Sequence, residues 1–173
     1  MNFRLIVALC YQKQKLYKMS KLIQLLLLIS LFNFHTIAQN ADASKRVKHF
    51  NLENGVAIQG YDPVAYFIQH KAVKGKKELA VNADGVIYYC SSAENKELLQ
   101  KNYKAYEPAY GGWCAYAMGN SGEKVNIDPS TFKISNNRLY LFYNAYFNNT
   151  LKSWNKDENQ LTKKADANWK KIY

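Results

Sequence analysis

A double glycine opening onto a cysteine packed among aromatics, Tyr110-Gly111-Gly112-Trp113-Cys114-Ala115-Tyr116-Ala117-Met118, constrains this chain more than any other stretch. Two adjacent glycines admit backbone conformations closed to other residues and let the chain come close to another group. They deliver Cys114 into a segment too apolar for a surface loop, so a buried thiol is expected. From the residues alone a disulfide, a metal ligand and a redox role stay open beside a plain core cysteine.

Which cysteines can meet depends on what is removed from the chain. Leu22 to Ile37 is strongly apolar; its core, Leu25 to Phe32, follows Lys18 and Lys21 and precedes the small-residue cleavage pattern Thr36-Ile37-Ala38. Residues 1–38 therefore read as a secretory signal peptide, with Met19-Ser20-Lys21 the more ordinary start. A bilayer core needs about 20 apolar residues, and Gln24, Asn33 and His35 interrupt this run, so export to a periplasmic or secreted location is expected rather than a retained membrane span. Cleavage removes Cys10 and leaves Cys90 and Cys114, which an oxidising compartment would allow to pair.

Beyond residue 38 the chain carries 19 basic and 13 acidic residues, a net charge of +6. The lysines are dispersed, only Arg46 and Arg138 supply guanidinium groups, and no recognition motif is present, which argues against nucleic acid as a partner.

Residues 39–54 are polar and read as a flexible, extended mature N-terminus, ahead of one domain over 55–173. Gly55 marks a turn before an apolar strand, Val56 to Ile58. Asp62 followed by Pro63 is a helix start, with the carboxylate accepting free amides and proline at the first helical position. Asp84-Gly85 between β-prone runs, Leu79 to Asn82 and Val86 to Cys90, predicts a hairpin. Ser91 with Glu94 forms a capping box for a helix reaching Lys101. Asp128-Pro129 predicts a single helical turn. Asn136-Asn137 predicts a second hairpin, and Asn144 a cap for a helix carrying Tyr146, Phe147, Leu151 and Trp154. Leu161, Ala165, Asn168, Trp169 and Ile172 recur at helical spacing, predicting a docked C-terminal helix. The pattern is α+β: short antiparallel hairpins packed by short helices in one small domain.

The succession of four motifs, Gly60 to Phe67, Asp84-Gly85-Val86-Ile87-Tyr88, Ser91-Ser92-Ala93-Glu94-Asn95 and Tyr110-Gly111-Gly112-Trp113-Cys114-Ala115-Tyr116, resembles the YHS domain family in its exported stand-alone branch. The resemblance covers about residues 55–170. It implies a small α+β module related to cysteine-containing modules attached to copper-transporting ATPases and some oxygenases, with a metal-binding role. Those metal-associated relatives resemble Tyr-x-Phe-Cys-Ser-x-x-Cys after the Asp-Gly turn. Aligned from Tyr88, the phenylalanine falls on Cys90 and the two cysteines on Ser91 and Asn95, so both would-be ligands are replaced.

Two chemistries follow for Cys114. If Cys114 to Met118 is helical, thiol and thioether share one face at i and i+4, a soft pair suited to copper(I). Alternatively Tyr61, Asp62, Tyr110, Trp113 and Tyr116 surround Cys114 as a tyrosine-rich pocket for a small molecule, which the double glycine lets the chain enter closely. The competing reading is an accessory domain for a partner protein, stapled by a Cys90–Cys114 disulfide. Catalysis finds little support, because no base is placed beside Cys114 and neither Cys-x-x-Cys nor Gly-x-Ser-x-Gly occurs.

Overall fold

Four two-residue turns set the sheet structure of residues 42–173. In the computed structural model, which describes residues 13–22, 24 and 42–173, Asn54-Gly55 joins β1 (Leu52–Glu53) to β2 (Val56–Ala57), and Asp84-Gly85 joins β3 (Lys76–Ala83) to β4 (Val86–Cys90). Asn136-Asn137 joins β5 (Asp128–Ser135) to β6 (Arg138–Phe142), and Tyr146-Phe147 joins β7 (Asn144–Ala145) to β8 (Asn148–Asn149). All eight turn residues have positive φ, as the twist of tight hairpins requires.

Glycine, asparagine and aspartate tolerate that conformation, and Tyr146 and Phe147 do not. Both aromatics stand free of the body, 92% and 112% exposed. The helix expected to carry them starts later, at Thr150, because Asn149 rather than Asn144 accepts the first free amide, from Leu151 at 3.1 Å. The double substitution Tyr146→Asn with Phe147→Gly installs the preferred turn pair and is expected to stabilise the fold by about 1 kcal/mol, read as a higher urea midpoint at unchanged m-value. A lower midpoint would show that the aromatics make a stabilising contact.

The main sheet has the order β1-β2-β4-β3, antiparallel except for a parallel step between β2 and β4 at Val56 and Ile87. The helices are α1 (42–49), α2 (Pro63–Ile68), α3 (Ala93–Lys101), α4 (Ala115–Asn120), α5 (Thr150–Trp154) and α6 (Glu158–Ile172); α2 and α3 pack on the main sheet, α4 and α5 on the β5–β6 hairpin, and α6 on α4. The architecture is α+β.

The hairpin at Asp84-Gly85, the Asp62-Pro63 helix start and the C-terminal helix stand where the sequence places them. Three local expectations change. Residues 42–49 are helical rather than extended, because Arg46 is drawn into the body and is only 3% exposed. Asp128-Pro129 begins a strand, its carboxylate spent on Ser130 N–H at 2.9 Å while the Pro129 carbonyl accepts the Tyr66 hydroxyl at 2.9 Å. Ser92, not Ser91, caps α3.

Strand β6 divides the interior in two. Its alternation sends Leu139 and Leu141 into a core with Val64, Tyr66, Tyr88 and Leu99, and Tyr140 and Phe142 into a second core with Met118, Trp154 and Ala165. Each such side chain contributes about 1.5–3 kcal/mol when withdrawn from water.

Residues 1–41 form a separate unit from 42–173. Residues 13–22 and 24 are helical, whereas the leader core, Leu25 to Phe32, and its cleavage pattern lie outside the described residues. No described helix is long and apolar enough to cross a membrane.

Candidate functional site

The double glycine makes a close approach, but not to a ligand pocket. Tyr110, Gly111 and Gly112 are consecutive left-handed residues, with φ of 57°, 60° and 85°. A Cβ on Gly111 would lie 2.7 Å from the Phe50 ring, and the Gly111 carbonyl accepts Asn51 N–H at 2.9 Å. The glycines therefore seat the segment that follows α1. Leaving this kink, the chain turns through Trp113 into Cys114, the cap residue of α4.

Cys114 exposes no surface. Its sulfur accepts Tyr143 N–H at 3.3 Å and lies 3.4 Å from Thr150 Oγ1. The Thr150 hydroxyl donates its only proton to the Tyr143 carbonyl at 2.9 Å, so the thiol donates to the hydroxyl oxygen. Both hydrogen-bonding capacities of a neutral thiol are thus engaged.

Above this thiol lies an open pocket of about 320 Å³, bounded by Tyr116, Ala117 and Asn120 of α4, by Ser121, Glu123 and Val125, and by Tyr143, Asn148 and Thr150. The volume falls at the small end of ligand sites. Glu123 is the one charged group on its wall, holding Ser121 Oγ at 3.2 Å.

Of the residues expected around Cys114, only Tyr116 lines this pocket. Tyr110 sends its hydroxyl to Asp166 at 3.0 Å, and Trp113 donates its indole N–H to the His49 carbonyl at 2.8 Å. Tyr61 lies under the Lys74 ammonium, 4.6 Å from the ring centre. Asp62 is wholly buried at the start of α2. There it accepts Val64 and Ala65 N–H at 2.9 and 3.4 Å, Ser91 N–H and Oγ–H at 2.7 and 2.6 Å, and Asn95 Nδ2–H at 2.7 Å. Thr150, Tyr143 and Asn148, which build the pocket from the other side, carry no local signal: β6, β7, β8 and α5 deliver them from 29 to 36 residues away.

In this structure Cys90 and Cys114 are both buried free thiols. Burial, reinforced by the Asp62 charge, pushes the Cys90 thiol up to about 12, leaving it protonated and inert. Cys114 is the N-cap of α4 and its carbonyl accepts the Met118 N–H at 3.0 Å, so the two residues of the expected copper pair stand one helical turn apart. The two side chains belong to different cores. Among the described residues no group of three or more His, Cys, Asp or Glu side chains could hold a metal ion.

Family models, curated proteins and solved structures yield no match to this chain.

Proposed function

We propose that this chain is an exported, YHS-like binding module whose site is the pocket above Cys114, taking a small neutral or cationic organic molecule. The observation that carries the reading is the wall chemistry. Two tyrosines, two amide side chains and two hydroxyls, Ser121 and Thr150, surround an opening with a single carboxylate, Glu123, and no cation. Tyrosine faces and amides recognise planar or hydroxylated groups, and the lone carboxylate selects against anions. The thiol beneath supports the floor, its bonds to Tyr143 and Thr150 tying the two sides of the pocket together.

A thermal-shift screen of small organic compounds, with copper(I) and zinc as separate arms, tests this. A binder at a hundredfold excess over its Kd stabilises by about 2.7 kcal/mol, a shift of several degrees in Tm. Ala117→Leu, which fills the pocket from α4, is expected to abolish the shift without lowering the Tm of the free protein. Glu123→Gln is expected to weaken cationic binders selectively. Stabilisation by copper(I) that vanishes in Cys114→Ser would replace this reading with a metal-binding one.

A further inference from the structure

The turn between β7 and β8 breaks a rule that the other three hairpins keep. Asn-Gly, Asp-Gly and Asn-Asn occupy the left-handed positions elsewhere, whereas here they hold Tyr146 and Phe147, with φ of 49° and 63°. Large side chains in that conformation cost free energy, and such costs concentrate where a protein makes contact with something else. Among the described residues no contact offsets them: both rings are fully exposed, on a two-residue projection.

From this juxtaposition we infer that the β7–β8 hairpin is a membrane-contacting fingertip, which inserts Tyr146 and Phe147 into the interfacial layer of an anionic lipid bilayer. A two-residue tip with both rings exposed favours a soft phase over a protein groove, since it meets a yielding layer without needing a matching cleft. Tyrosine and phenylalanine suit that layer, one end apolar and, for tyrosine, the other wet. Charge agrees. From Asn144 to Leu151 the hairpin and its exit carry no acidic residue, exposed Lys152 follows, and the chain beyond residue 38 has a net charge of +6. A basic body is drawn to anionic headgroups, and an uncharged tip has no charge to desolvate there. Adsorption through one fingertip is weak and reversible, a contact rather than an anchor.

The test uses the full chain, with hydrogen exchange of residues 144–149 as a local readout that binding by other segments does not move. Vesicles of phosphatidylcholine with phosphatidylglycerol are expected to slow exchange at the tip by about tenfold, the equivalent of 1.4 kcal/mol, and phosphatidylcholine alone much less. In Tyr146→Asn with Phe147→Gly, whose turn is the more favourable one, the slowing should disappear while the fold persists. Unchanged exchange in the wild-type tip overturns the inference, as does equal slowing in the double variant. Slowing that tracks protein concentration without vesicles would replace it with self-association.

Discussion

Replacing Asp62 with alanine is expected to cost about 4–6 kcal/mol, the most damaging single change in the chain. Loss of the cap on α2 accounts for about 1 kcal/mol. The larger share comes from Ser91 N–H, Ser91 Oγ–H and Asn95 Nδ2–H, three donors aimed at one oxygen of a fully buried carboxylate at 2.6–2.7 Å, with Asn95 buried and Ser91 half-buried. Each buried donor left without an acceptor costs about 1–3 kcal/mol. Asp62→Asn is expected to lose only about half as much, because its oxygen can still cap α2 while the Ser91 hydroxyl rotates to accept from the new amide. Urea unfolding followed by circular dichroism measures both. Since domains of this size are stable by about 5–15 kcal/mol, the alanine variant should be marginal or unfolded. A loss under about 1 kcal/mol for Asp62→Ala would mean that water replaces the carboxylate and that the network is dispensable.

That network also occupies two side chains singled out in the sequence. The resemblance to metal-associated YHS modules puts cysteines where this chain has Ser91 and Asn95. In the structure those two side chains are spent on Asp62, one helix away, and Ser91 is thereby diverted from the cap it was expected to form. The local signals that read correctly, Asp62-Pro63, Asp84-Gly85 and Asn136-Asn137, each owe their geometry to residues next to them in the chain. Those that misread depend on distant partners. Helix α1 exists because Arg46 finds acceptors in the β3–β4 turn, the double glycine faces Phe50, and the Cys114 pocket is closed by Tyr143, Asn148 and Thr150. Residue types on one segment announce a turn or a cap, but they carry no record of which segment will be packed against them.

Arg46 is the clearest case of a long-range dependence and supplies the second large effect. Its guanidinium donates to the Ala83 and Asp84 carbonyls at 3.2 Å and makes a two-pronged pair with Glu107, while Phe50 and Tyr103 stack on its faces at 4.8 and 5.1 Å. Burial opposes the charge, but Glu107 more than compensates and raises the guanidinium pKa. Glu107 in turn accepts the buried Tyr88 hydroxyl at 2.7 Å, whose own ionisation burial suppresses. Arg46→Met is expected to destabilise by about 3–5 kcal/mol, mostly by stranding Glu107 in a nearly dry site. Arg46→Lys should recover little, since one ammonium cannot serve a fork-shaped carboxylate and two carbonyls at once. The discriminating variant is Arg46→Met combined with Glu107→Met. If the penalty is a stranded charge, the double variant is more stable than Arg46→Met alone, with a coupling of about 2 kcal/mol in the double-mutant cycle. Additive losses would instead assign the effect to lost packing of α1, and amide exchange over 42–49 would then rise equally in both Arg46→Met variants.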